Sequence, residues 1–152
     1  MKKTPEGWPR ISSSVFYDDA STAIDWLCRT FGFELRLKVE GEGGRIEHSE
    51  LEFGEGLVMI GSTGGKSSRP IPLPGKSPRS VGGANTQMLC IFVDDVDAHF
   101  KHTKATGAKI LDEPVTNDYG EDYWADRSYR VEDLEGHHWW FMQRVRDQQS
   151  KK

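Results

Sequence analysis

One pattern that occurs twice constrains this chain more than any single motif. Tyr17-Asp18-Asp19-Ala20 is echoed 76 residues later by Val93-Asp94-Asp95-Val96, and Gly32-Phe33 is echoed 75 residues later by Gly107-Ala108. Both copies run in the same order: a β-rich stretch, a paired Asp that can cap a helix, apolar residues at helical spacing, a Gly stop, and further β-rich stretches. A repeat of this length fixes architecture before any individual element is assigned. A helix covers one face of a small sheet and leaves the other face without a partner.

In the first copy the spacing predicts a strand over 11–17 and a helix from Ala20 to Phe31, built on Ala20, Ala23, Ile24, Leu27 and Phe31. Strands are expected over 33–39, 46–53 and 57–60, with turns at Gly41–Gly44 and Gly54–Gly56. Residues 61–83 are rich in Gly, Pro and Ser and show no periodicity, so they read as a linker or long loop. The second copy predicts a strand over 87–93 and a helix over 96–106. An extended piece over 109–114, a loop over 117–125, and strands over 127–132 and 138–145 around the turn Asp133-Leu134-Glu135-Gly136 follow. The polar end, Arg146 to Lys152, is expected to fray. The fold class is therefore α+β: two βαβββ modules, at 10–62 and 85–145, joined by a 63–84 linker in one domain spanning 8–145. Their uncovered faces are expected to form a curved mixed sheet around a cavity.

Composition excludes several function classes. The chain has 152 residues, a formal net charge of −4 and no basic stripe, so neither nucleic acid nor an anionic membrane is an expected partner. No apolar run of about 18 residues is present to span a membrane. No apolar segment follows Met1-Lys2-Lys3-Thr4-Pro5, so a secretory signal is not expected and the reading is cytoplasmic. Cys28 and Cys90 read as buried core thiols of a reducing compartment.

The double βαβββ plan resembles the vicinal oxygen chelate superfamily, the glyoxalase/bleomycin-resistance/dioxygenase proteins. The residues carrying the resemblance are Val93-Asp94-Asp95-Val96-Asp97-Ala98-His99, Gly107-Ala108, Glu113-Pro114, Tyr119-Gly120 and Asp133-Leu134-Glu135-Gly136-His137-His138-Trp139-Trp140-Phe141. They look most like the small glyoxalase-like branch. In metal-using members the resemblance places ligands at positions that here hold Ser12, Met88, Trp140 and, in the first half, Val58 (or Ile60 in the other register). Ser, Val, Met and Trp do not make a site for a hard or borderline divalent cation. No metal and no cofactor are expected.

Strand alternation then assigns faces. Met88, Cys90 and Phe92 face the cavity with His138, Trp140 and Met142, and so do Ser12 and Ser14. Leu89, Ile91, Trp139 and Phe141 pack under a helix. Tyr119, Trp124, Arg127 and Tyr129 are expected at the cavity rim, where Arg127 either grips an anionic or carbonyl oxygen or forms an ion pair that holds its loop. His138 is either a general base or orienter in the cavity, or a structural turn histidine. His99 and His102 read as a solvated helix face and His48 as a surface strand residue. The functional expectation is a metal-independent homodimeric protein binding a small apolar or aromatic molecule. The alternative is a lyase-, isomerase- or dioxygenase-related enzyme acting on a small carbonyl compound, with His138 and Arg127 as its catalytic candidates.

Overall fold

A computed structural model describes residues 1–149. The chain divides into two compact units, Met1–Gly82 and a second beginning at Gly83. Each carries one module of the expected α+β plan.

The first unit contains β1 (Ser13–Tyr17), α1 (Ala20–Phe31), β2 (Glu34–Glu40), β3 (Ile46–Phe53) and β4 (Gly56–Ser62). Its sheet runs β1-β4-β3-β2, with β1 parallel to β4 and the other pairs antiparallel. Asp19 caps α1 by accepting from the Thr22 amide at 3.1 Å, and Gly32 ends it in the left-handed conformation at φ 89°, where a side chain would be strained. Ala20, Ala23, Ile24, Leu27 and Phe31 are buried, as are Val15, Tyr17, Leu51 and Ile60 of the sheet. That is the stripe a helix needs to dock on a pleated face.

Residues 64–77 do not behave as a linker. Arg45 donates to the Ser62, Thr63 and Gly64 carbonyls, and Ser68 donates to Glu47 at 3.2 Å. Gly75 lies so close to the Phe16 ring that a Cβ there would collide with it. A short 3₁₀ turn, Pro78–Ser80, follows, and Arg79 pairs with Asp18 at 3.2 Å. Much of the segment read as a loop between modules is therefore a cover on the first one.

The second unit contains β5 (Leu89–Phe92), α2 (Val96–Ala105), β6 (Lys109–Asp118), β7 (Ala125–Glu132) and β8 (His138–Arg146), in the sheet order β5-β8-β7-β6. Asp95 caps α2 through the Ala98 amide at 3.0 Å. The β6 strand runs four residues past the expected stop at Pro114, because β6 is an edge strand whose pairing is irregular between Asp112 and Val115. Asn117 and Asp118 thus pair with Asp126 and Ala125, and the expected 117–125 loop shrinks to a turn closed by Tyr119 N–H to the Trp124 carbonyl at 3.0 Å. Of the expected frayed end, Arg146 closes β8, 147–149 form no regular structure, and 150–152 lie outside the described residues.

Beneath α2 lie Trp139, Phe141, Tyr129 and Val131, all at most 1% exposed. Trp139 donates its indole N–H to Asp133 at 2.9 Å. The Tyr129 hydroxyl donates to Thr103 Oγ1 at 2.9 Å and meets His99 Nδ1 at 2.7 Å, and the His99 ring packs on Phe141 with centroids 4.2 Å apart. His99 is therefore part of the core packing and not of a solvated face.

Trp139→Ala should cost about 3–5 kcal/mol by the large-to-small rule, read from urea unfolding; a loss under about 1 kcal/mol would place Trp139 on the other face. Burial pushes the Tyr129 hydroxyl up to about 12 against the opposing hydrogen bond to Thr103. A group whose folded pKa is raised stabilises the fold below its unfolded value and loses that contribution as pH climbs through the folded one. Tyr129 should therefore ionise above the ordinary tyrosine range in an alkaline titration, with stability falling between about pH 10 and 12. Tyr129→Phe should remove both effects.

Candidate functional site

The face of the second sheet opposite α2 is built mainly by three strands, β5, β8 and β7. Trp140 of β8 lies between Cys90 of β5 and Arg130 of β7, and Met142 lies between Phe92 and Ser128. His138 opens β8 opposite Glu132. Directly paired residues share a face, so Cys90, Phe92, Ser128, Arg130, Glu132, His138, Trp140 and Met142 form one surface. Phe92 is 55% exposed and Met88, just before β5, is 39% exposed. Cys90 is exposed rather than buried. Burial by its neighbours, then the negative charge of Asp126, pushes its thiol pKa up, so Cys90 stays a thiol and is no activated nucleophile.

Two arginines border this apolar stripe. Arg130 is held by Asp112, which accepts from its backbone N–H at 2.6 Å and its Nε at 2.7 Å. Arg144 pairs through Nε with Asp126 at 2.5 Å and lies over two rings, 5.6 Å from Phe92 and 5.2 Å from Trp124. Tyr119 and Tyr123 continue the row, with centroids 6.0 and 6.2 Å from Trp124. The hairpin tip carrying them is tied down by Arg146, which donates to Asp118 and to the Gly120 carbonyl.

Two expected rim residues lie elsewhere. Arg127 points to the helix side, where Asp97 of α2 takes both its Nε and Nη2 hydrogen bonds at 2.8–3.1 Å. The Arg127 guanidinium in turn holds the Asp97 carboxyl below the usual range. Of the two readings open in the sequence, the ion pair is the one formed. Tyr129 is buried under the same helix and presents nothing to the open face. The residues that occupy the open face in their place are Arg130 and Arg144, which are not among the sequence-based candidates. The signal was available: across the tight Asp133–Gly136 turn, Glu132 must oppose His138, which puts Arg130 opposite Trp140.

Ser12 and Ser14 belong to the first unit. Ser12 Oγ has no hydrogen-bond partner among the described residues. Ser14 pairs with Met59 across β1 and β4, and both line a cavity of about 50 Å³ with Phe16, His48, Arg45 and Leu73. Val58 and Ile60 pair with Ser13 and Val15 on the helix-covered face, so Met59, not Val58, is the first-half counterpart of Trp140. A thioether and an indole at the paired positions do not fit the divalent cation of metal-using relatives. Among the described residues no three His, Cys, Asp or Glu side chains converge.

Comparison with known proteins places the chain. The family model described as Glyoxalase/Bleomycin resistance protein/Dioxygenase superfamily matches residues 10–141. An uncharacterized protein of Mycobacterium bovis is 31% identical over 144 residues, covering 91% of this chain and 86% of that one. The crystal structure of TioX from Micromonospora sp. ML1 superposes with a TM-score of 0.68 at 31% identity, covering 91% of this chain and all of TioX. A lactoylglutathione lyase from Agrobacterium tumefaciens shares the fold at a TM-score of 0.61 and 17% identity, covering 93% of this chain and 96% of that one. The chain belongs to the Glyoxalase/Bleomycin resistance protein/Dioxygenase superfamily.

Proposed function

We propose that this protein binds small flat aromatic or apolar molecules that carry one anionic or carbonyl end, and that it does so without a metal. One observation carries the reading. The open face of the second sheet presents exposed Met88, Cys90 and Phe92 and half-buried Trp140 as an apolar stripe beside arginines whose orientation is already set by Asp112 and Asp126. Apolar surface and aromatic faces bind by burial and stacking, and a pinned guanidinium adds direction at little further ordering cost. Sugars and polyamines would gain little on such a face.

Membership in the superfamily does not choose between binding and catalysis, because one fold hosts many chemistries. We further propose a homodimer. All seven residues of the edge strand β2 are exposed, Leu35, Leu37 and Val39 among them, and an uncovered apolar edge favours a partner. No described helix is long and apolar enough to cross a membrane, and the free thiols Cys28 and Cys90 suit a cytoplasmic setting.

Tryptophan fluorescence titrations with 2-naphthoate and naphthalene test the ligand reading. Arg130→Ala should weaken the acid about tenfold or more and the neutral compound little, whereas Arg127→Ala should change neither. Equal losses for both ligands in Arg130→Ala would remove the proposed anion contact. Light scattering at micromolar concentration should report a dimer; a monomer throughout would contradict the assembly.

A further inference from the structure

Beside the stacking surface lies a histidine–carboxylate pair that ligand binding alone does not require. His138 Nε2 meets Glu132 Oε2 at 3.1 Å, and the other oxygen of Glu132 is held by Lys109 Nζ at 3.2 Å. The backbone of His138 is fixed as well: its N–H donates to Asn85 Oδ1 at 3.1 Å, and Asn85 donates back to the Gly136 carbonyl at 2.9 Å. Burial raises the Glu132 pKa, but the hydrogen bonds from Lys109 and His138 outweigh it and hold the carboxyl below its usual range. An ionised carboxylate accepts the Nε2 proton, so neutral His138 carries its lone pair on Nδ1, which has no hydrogen-bond partner among the described residues.

Register fixes which residues share the face with His138. His138 is two residues from Trp140 on the same face, about 7 Å along the strand, and Arg130 is directly opposite Trp140. Arg130 and His138 are diagonal neighbours, about 7–8 Å apart at the backbone. A ring stacked on Trp140 with its oxygen on Arg130 would bring the adjoining carbon toward His138.

We propose that His138, positioned by Glu132, is a general base that removes a proton from the carbon next to the carbonyl of an aryl-substituted keto acid bound on this face. The inference rests on the ligand face proposed above. In the step the C–H proton passes to Nδ1, the C–H electron pair forms a carbon–carbon double bond, and the carbonyl pair moves onto oxygen beside Arg130. Reversal returns a proton from the imidazolium to carbon. Nothing is oxidised or reduced and no co-reactant is consumed.

The test is deuterium exchange at C3 of 2-oxo-4-phenylbutanoate in D₂O, followed by NMR, with binding of the same compound read separately by tryptophan fluorescence. Wild type should accelerate exchange over buffer, and His138→Gln should lower that acceleration roughly 100-fold. Added imidazole should restore exchange to His138→Gly, which a purely structural histidine would not allow. Glu132→Gln should lower kcat while leaving KM close to wild type, as befits a positioning residue. Binding without accelerated exchange, or exchange that survives His138→Gln, would overturn the catalytic proposal and leave the ligand face standing. Absence of binding would overturn both.

Discussion

The arrangement of the second sheet depends on one carboxylate. Asp133 directly follows β7 and is almost fully buried. Its Oδ1 accepts from the Glu135 and His137 amides, each at 3.0 Å, and its Oδ2 accepts from the Trp139 indole at 2.9 Å. Its own N–H donates to the His137 carbonyl at 2.9 Å. The same side chain therefore shapes the turn and anchors the largest residue of the core. A one-residue slip in this hairpin would exchange the faces of β8, sending Trp140 under α2 and Trp139 outward. Register is set by that local lock, and everything attributed to the open face follows from it.

The two units repeat their backbone plan without repeating their chemistry. Ser14 and Phe16 in the first occupy the places of Cys90 and Phe92 in the second, and Met59 occupies that of Trp140. Opposite Met59 stands Glu50, buried and paired with Arg36 at 3.0 Å and His48 at 2.9 Å. Opposite Trp140 stands Arg130. Phe16 is covered by Gly75 of the chain's own 64–77 segment, whereas Phe92 is 55% exposed. One face carries a buried acid paired with Arg36 and His48 under a cover, and the other carries carboxylate-paired arginines beside exposed Phe92 and half-buried Trp140. This asymmetry is why the ligand reading rests on the second unit.

Much of the fold was legible because it is local. The Asp19 and Asp95 caps, the Gly32 stop and the alternation through β5 and β8 are decided by neighbours a few residues away. What escaped depends on partners distant in sequence. The extension of β6 past Pro114 requires knowing that the strand lies at an edge. Arg127 looked like a ligand grip because Asp97, thirty positions earlier, is close only once α2 has docked. Arg130 could have been found, since the turn that fixes His138 also fixes the parity of β7. Position in the family pattern points to Arg127, whereas the hairpin geometry points to Arg130. The cover over Phe16 gave no periodic signal, because a Pro- and Gly-rich segment fits by shape rather than by pattern.

The proposed ligand site is the open face of the second sheet, and methionine methyl groups report on it directly. Of the four methionines, Met88 and Met142 belong to that face, Met59 lines the covered cavity of the first unit, and Met1 is fully exposed at the chain start. In ¹³C-methyl-methionine NMR, titration with 2-naphthoate should move the Met88 and Met142 resonances along a saturating curve and leave Met1 in place. Saturable binding that leaves both Met88 and Met142 unmoved would exclude this face as the ligand site.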